Sequence, residues 1–438
     1  MQALGWYYPE SLGGTEVYVA GLCRGLRAAG HDVFIAAPDP AHTVERTYEY
    51  EGIPVLRYPI PSHPTRDECQ GRVPVRGTDR FHEFLLATQP DVVHFHTLLT
   101  GLGLPELWAA RAAGARTIVT THSSSLGYVC QRGTMMRWGK SLCDGVCQPA
   151  KCAACELEHR GLPKALASLV GVAPKALAEL ASELPGKIGT ALAMSSLIAH
   201  NQSLQRGVFA IADRFVVLTR WALDALIANG APVEKLALNR LGVSHENASS
   251  KPSPSTRPTK PPIKIGYLGR FDPIKGVYDL ARALVALPSD LSFEMEFRGP
   301  ANRDEDRQVL NELRGLLKGD KRVTFAPPVE QHEVSDVLRS YDVLCCPSVC
   351  LEGGPTVAIE AHAAGTPVIG TRIGGLAELV EDDVTGRLVA PGDWRALSKV
   401  LNQLITDPHN TIDRWRRALP PARTMAAITA DYLTLYAA

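Results

Sequence analysis

The sequence predicts an α/β protein built from two Rossmann-like, doubly wound domains that face each other across a cleft. Three observations carry this expectation. Short apolar runs alternate with helical segments along the chain, the pattern of parallel sheets flanked by helices and joined by right-handed crossovers. A proline- and serine-rich stretch, residues 251–262, divides that alternation into two series. The 438 residues are enough for two or three domains with sizeable cores.

Strand-like runs at 32–37, 91–95, 116–121 and 213–218 alternate with helical segments such as 15–29 and 221–229. The first glycine-rich turn, Gly13-Gly14-Thr15-Glu16, follows only about a dozen residues. Gln2 to Trp6 is a short candidate for the strand before it; either that strand is short or the start lies upstream of Met1. After residue 262, runs at 263–269, 293–298, 322–326, 342–347 and 366–370 alternate with helices at 276–287, 305–318, 332–340 and 356–364. The expected division is an N-terminal domain, 1–250, with a cysteine-rich insertion at about 130–206, a linker, 251–262, and a C-terminal domain, 263–438. The last helix is a candidate to return to the first domain.

Lys plus Arg number 46 and Asp plus Glu 46, so no global basic field argues for nucleic acid. No apolar run reaches the roughly 18 residues of a spanning helix, and the N-terminus lacks a charged region followed by an apolar stretch. A soluble, cytoplasmic protein is expected.

The most informative stretch is Glu352-Gly353-Gly354-Pro355-Thr356-Val357-Ala358-Ile359-Glu360, two carboxylates eight positions apart across the start of a helix. Asp342 to Pro347 reads as a buried strand, and Pro355 followed by Thr356–Ala364 as a helix that Gly365 closes. Glu352 then lies at a strand's carboxyl end, where doubly wound sheets bind ligands and backbone N–H groups favour anions. Glu360 can accept a hydrogen bond from a ribose or sugar hydroxyl. With Ala361-His362-Ala363-Ala364-Gly365-Thr366-Pro367-Val368-Ile369-Gly370-Thr371 and Gly374-Gly375-Leu376-Ala377-Glu378, this stretch resembles the retaining, nucleotide-sugar-dependent glycosyltransferases of the GT-B fold, group 1 or family 4.

The resemblance implies a set of roles. Arg270 and Lys275, in Gly269-Arg270-Phe271-Asp272-Pro273-Ile274-Lys275-Gly276, would hold the diphosphate and stabilise charge on the leaving group, a task metal ions perform in other transferases. Arg offers a fork and Lys a point charge. Glu352, Gly353, Gly354, Pro355, Thr356 and Val357 would bind the donor sugar, and Glu360 the ribose. Gly13 and Gly14 would offer amides to a diphosphate or acceptor. Arg298 and Gly299 would lie near the nucleotide through their backbone. His122, in Thr120-Thr121-His122-Ser123, would meet a donor hydroxyl or the acceptor, with His94 and His96 as competing candidates; a structural role is expected for at least one of those two.

Five of the ten cysteines fall between 130 and 155: Cys130, Cys143, Cys147, Cys152 and Cys155. Their x12, x3, x4 and x2 spacings fit a tetrahedral thiolate site, most simply structural zinc, or else unrelated free thiols; a redox pair lacks a thioredoxin-like frame. The resemblance to relatives with four-cysteine insertions selects Cys130, Cys143, Cys152 and Cys155 as ligands and leaves Cys147 spare. Cys23, Cys345, Cys346 and Cys350 read as small core residues. Residues 132–206 hold nine Lys or Arg against five Asp or Glu. Helical stretches around Lys164–Val170 and Pro174–Leu184 suit either an anionic membrane surface beside a lipid-linked acceptor or a solvated insertion.

The function the resemblance implies is transfer of a hexose from a nucleoside diphosphate sugar to a hydroxyl of a saccharide or lipid-linked acceptor, with retention and without a catalytic cofactor or metal. Cell-surface polysaccharide or glycolipid synthesis is the expected setting. A nucleotide-sugar 2-epimerase of the same architecture is one alternative, and a non-catalytic sugar-nucleotide-binding relative another.

Overall fold

The computed structural model describes residues 1–10, 13–137, 141–182, 184, 186–243 and 261–437. Of the expected linker only Pro261 and Pro262 fall among the described residues. The chain forms two compact units, Met1–Arg240 with Ala426–Ala438, and Leu241–Met425.

Unit 1 is built on β1 (Gln2–Ala3), β2 (Ile35–Asp39), β3 (Arg46–Tyr50), β4 (Ile53–Pro59), β5 (Val92–Phe95), β6 (Arg116–Thr121), β9 (Arg214–Val217) and β10 (Leu236–Leu238); β7 (Met136–Arg137) and β8 (Ser141–Leu142) form a separate hairpin. The order is β10-β9-β6-β5-β1-β2-β4-β3, parallel throughout except for the β3–β4 hairpin. The candidate strand at Gln2–Trp6 contracts to two residues, yet it lies in the middle of the sheet. Backbone bonds on both sides hold it there: Gln2 N donates to Phe34 O at 2.8 Å, and His94 N donates to Met1 O at 2.9 Å. The charged, alternating β3 was not anticipated, because Arg46, Tyr48 and Tyr50 are only half-buried on an edge and give no apolar run.

Unit 2 carries six strands, β11 (Ile263–Leu268), β12 (Phe293–Arg298), β13 (Val323–Ala326), β14 (Val343–Cys346), β15 (Val368–Thr371) and β16 (Gly386–Val389), in the order β13-β12-β11-β14-β15-β16 and all parallel. Such a sheet is buried on both faces, and two separate hydrophobic clusters result. One gathers Ile263, Ile265, Phe293, Met295, Phe297 and Trp415; the other gathers Leu338, Tyr341, Leu344, Ala358 and Leu376. Gly266 is what lets Tyr341 lie over β11, since a Cβ there would stand 2.2 Å from the ring. The strand order reverses between β11 and β14, the switch point at which the loops after both strands diverge and leave a crevice.

The last helix, Met425–Ala437, contributes Ile428 and Tyr432 to the interior of unit 1. No helix among the described residues is long and apolar enough to cross a membrane.

Candidate functional site

In unit 2, β11 ends at Leu268 and the chain turns through Gly269-Arg270 into a short 3-10 turn, Pro273–Lys275, capped by the Asp272 carboxylate on the Ile274 N–H at 3.1 Å. The Tyr267 hydroxyl donates to Arg270 O at 2.6 Å and so fixes the turn. Arg270 projects outward with 48% of its side chain exposed, 3.9 Å from Asp272. Gly276 follows at φ +71, and a Cβ on it would stand 1.8 Å from Pro347 O, so only glycine lets this turn meet the loop after β14.

That closeness brings Lys275 to Glu352, with Nζ 3.0 Å from Oε1. Ser348 also donates to Glu352, and Thr371 donates to Ser348 O at 2.5 Å, which ties the carboxylate to the end of β15. The backbone of Glu352 is held too: Gly375 N donates to its carbonyl at 3.3 Å, and Gly374, at φ +53, presses against it. Pro355 precedes the helix Thr356–Ala363, and Gly365 closes it at φ +82. Gly353 and Gly354 are half-buried; a Cβ on Gly354 would stand 2.0 Å from Leu241 Cδ1. Thr356 is exposed and Val357 half-buried on the first turn.

Glu360 lies one turn further along, on the same helix. Burial pushes its carboxyl up to about 7. The two carboxylates therefore differ in kind: Glu352 is paired with a cation, whereas Glu360 sits in a poorly hydrated place that favours its neutral form.

Arg298 ends β12, but its guanidinium is committed elsewhere, to Glu296 at 2.8 Å and to Pro327 O at 3.0 Å. The backbone beside it is the close one: Gly269 N donates to Arg298 O at 3.0 Å, and a Cβ on Gly299 would stand 1.9 Å from Gly269 O.

In unit 1, His122 follows β6 and is half-buried. Its Nε2 is 3.1 Å from His96 Nδ1, and its ring packs edge-on to Tyr18 with centroids 5.0 Å apart. His94 and His96 are both fully buried and hydrogen-bonded on both ring nitrogens. Burial lowers His122 to about 4 and the other two well below the usual histidine range, so the three rings are neutral at pH 7. Gly13 precedes the helix Gly14–Ala28, and its amide donates to the Glu16 carboxylate of that helix at 2.9 Å. That amide is thus already engaged within its own turn.

Cys130, Cys143, Cys147, Cys152 and Cys155 line one cavity of about 40 Å³ with Met135, Met136 and Lys151. All are free thiols. Cys147, set aside on resemblance as the spare, is buried in the same wall and hydrogen-bonds the Cys152 thiol. That bond, the Gln148 N–H at 3.4 Å and Lys151 together lower Cys152 to about 6. Among the described residues no three His, Cys, Asp or Glu side chains are gathered so as to hold a metal ion. The four thiols proposed as ligands share the cavity without forming a coordination shell. Cys23, Cys345, Cys346 and Cys350 are buried.

Sequence reasoning missed Ser348, Thr371, Asp272 and Tyr267, which orient the candidate groups rather than supply them. Only Asp272 carried a signal, as an acidic residue two positions before a turn N–H.

The family of glycosyl transferases group 1 matches residues 250–419, and a glycosyl transferase 4-like domain matches 13–185. The D-inositol 3-phosphate glycosyltransferase of Streptomyces coelicolor is 27% identical over 365 residues, 76% of this chain and 72% of that protein. The chain belongs to the group 1 glycosyltransferases of the GT-B fold. Solved structures of the same fold include the sucrose-phosphate synthase of Thermosynechococcus elongatus, at TM-score 0.64 and 19% identity over 100% of this chain and 98% of that one. Another is HepE of Anabaena in complex with UDP and glucose, at TM-score 0.60 and 15% identity over 100% and 99%. The enzyme is therefore a glycosyltransferase, and the charged turns of unit 2 fall inside the group 1 match.

Proposed function

We propose that this glycosyltransferase moves a hexose from a nucleoside diphosphate sugar to an acceptor hydroxyl with retention, and that its own cations rather than a metal ion stabilise the leaving diphosphate. The observation that carries this reading is the pairing of Lys275 with Glu352 beside the Arg270 turn, at the carboxyl ends of β11 and β14. As the bond from the anomeric carbon to the phosphate oxygen breaks, negative charge grows on that oxygen. Lys275 and Arg270 are in place before the reaction and favour the transition state, with its additional charge on the breaking bridge oxygen, over the ground-state diphosphate dianion. The acceptor oxygen forms the new bond on the same face, and its proton passes to the departing phosphate oxygen.

Glu352, with the amides of Gly353 and Gly354 and the Thr356–Val357 turn, is assigned to the donor sugar, and Glu360 to the ribose hydroxyls. The Arg298–Gly299 backbone is assigned to the nucleotide edge. In unit 1 the Gly14 turn and His122 are assigned to sugar or acceptor hydroxyls. Solved relatives of this fold hold UDP and UDP-glucose, which supports a sugar nucleotide as donor.

A lipid-linked acceptor is supported by one segment of unit 1. Leu166, Leu169, Val172, Leu177, Leu180, Leu184 and Ile188 are 48–77% exposed within 23 residues, and Lys164 and Lys187 in the same segment are exposed. Exposed apolar side chains with lysines suit the headgroup region of an anionic bilayer. The direct test of the reading is a panel of UDP-, GDP- and ADP-sugars scored by thermal shift and by slow donor hydrolysis. One donor should stabilise the protein and be hydrolysed without added metal; stabilisation by none of them, or strict dependence on magnesium or manganese, would overturn it.

A further inference from the structure

We propose that Gln2 and His96 are positioning residues that hold His122 as its Nε2–H tautomer, so that His122 Nδ1 faces a ligand as a fixed hydrogen-bond acceptor. This rests on the assignment of His122 to a ligand hydroxyl and says which atom of the ring does the recognition.

A buried chain of polar groups leads from Gln2 through His96 to His122. Gln2 is 3% exposed and His96 0%, so neither has water as an alternative partner. Gln2 turns its amide oxygen inward, with Oε1 2.8 Å from His96 Nε2. A carbonyl oxygen only accepts, so His96 carries its hydrogen on Nε2. A neutral imidazole has one hydrogen, and His96 Nδ1 is then a bare lone pair. The group 3.1 Å from that lone pair is His122 Nε2, which must donate. With its single hydrogen on Nε2, His122 keeps Nδ1 unprotonated, and no hydrogen bond to Nδ1 is found among the described residues.

The chain of polar groups continues through the neighbouring ring: the Tyr436 hydroxyl lies 2.6 Å from His94 Nδ1, His94 Nε2 lies 2.7 Å from Thr120 Oγ1, and Thr120 Oγ1 lies 2.9 Å from the Tyr432 hydroxyl. The orientation of the Gln2 amide, with Oε1 toward His96, sets the direction in which the hydrogens run toward His122. Burial supports the same picture, since it keeps all three imidazoles neutral. The source of the order is β1: Gln2 pairs with Ile35 and His94 across the sheet, so a two-residue strand sets the hydrogen of a side chain two links away.

The test uses the full-length protein with ¹⁵N-labelled histidine, the His122 signals being those lost in His122→Asn. The parent should show His122 with protonated Nε2 and unprotonated Nδ1. Gln2→Leu and His96→Leu should each release the constraint and give a mixture of tautomers, with kcat/KM for transfer reduced about tenfold by the loss of one oriented hydrogen bond. His96→Asn, whose amide oxygen can still accept from His122 Nε2–H, should keep the parent tautomer and most of the activity. Circular dichroism distinguishes a misfolded variant, and His96→Asn covers the case in which a leucine variant does not fold. A parent His122 protonated on Nδ1, or a folded His96→Leu variant with the parent tautomer, would overturn the proposal. The tautomer is read without any donor sugar, so it stands or falls separately from the transfer reaction.

Discussion

The two units meet the same demand, holding polar groups at the ends of parallel strands, by opposite physical means. In unit 2 the groups are ions: Arg270 and Lys275 are partly exposed, and Glu352 is held by Lys275 and Ser348. In unit 1 they are neutral rings packed without charge, His94, His96 and His122, ordered by donors and acceptors from Gln2, Thr120 and two tyrosines. An ion tolerates some misalignment because a Coulomb attraction falls off slowly with distance, whereas a neutral hydrogen bond fails within a fraction of an ångström or with the wrong tautomer. The first arrangement supplies field, the second supplies direction.

If that contrast is right, the largest effect belongs to the ions. Arg270→Ala and Lys275→Ala should each lower the rate of transfer by about 100-fold or more while the unfolding midpoint stays near the parent's. Turnover within a few-fold of the parent in both would remove the diphosphate role. Lys275→Ala should be the less stable of the two, because it leaves Glu352 without its cation.

The carboxylates sharpen the comparison within unit 2. Glu352→Gln should damage transfer with nucleotide affinity retained, and Glu360→Gln should weaken nucleotide binding, read by titration with free nucleoside diphosphate. Equal losses would show that the roles are not divided. Glu360 adds a pH signature. Its folded pKa of about 7 lies above the ordinary 4.5, so the stability tied to its neutral form is complete below about pH 4.5 and is lost as pH rises through 7. The parent should therefore lose up to about 3 kcal/mol relative to Glu360→Gln across that window, measured by urea unfolding.

Smaller effects test unit 1. Cys152 should be alkylated with a rate that rises through about pH 6, well below an ordinary thiol, and Cys147→Ala should move that profile upward. Alkylation at Cys152 that follows an ordinary thiol profile would count against the pairing. Elemental analysis of untagged protein separates this from the zinc expectation: about one equivalent of metal would mean that the thiols close together beyond their described positions. The smallest effect is expected at the surface. Leu169→Asp with Leu180→Asp should reduce flotation with anionic vesicles several-fold and leave transfer to a soluble acceptor unchanged. Equal flotation of parent and variant would return this helical segment to a solvated role.

Much of unit 2 was legible because its strands are continuous apolar runs and its turns need particular residues. Ile263–Leu268, Phe293–Arg298 and Val343–Cys346 fall within two residues of the expected spans. The glycines and Pro355 mark the turns because few other residues adopt those conformations. Unit 1 was harder to read. Edge strand β3 has no apolar periodicity, and β1 is two residues long. His122 could be named from its motif, but its neighbours Tyr18 and His96, and the side chains of Gln2, Tyr432 and Tyr436 beyond them, are dispersed along the chain, and no local spacing reports a cluster that closes only when the last helix packs. The gathering of Cys147 with Cys130, Cys143, Cys152 and Cys155 around one cavity is a closeness that spacing along the chain does not report.

Gly276 limits how this enzyme can be altered. The turn that carries Lys275 rests against the loop of Glu352 with no room for a single methyl group. Redesign for another donor cannot widen this part of the crevice by changing that position, because an added carbon would separate the cation from the carboxylate before it reached any sugar. Tolerance should instead lie at positions such as Thr356, which is exposed. A library spread evenly over both loops would thus be expected to fail at one residue and vary at its neighbours, a pattern that deep mutational scanning would register as an invariant glycine inside a permissive turn.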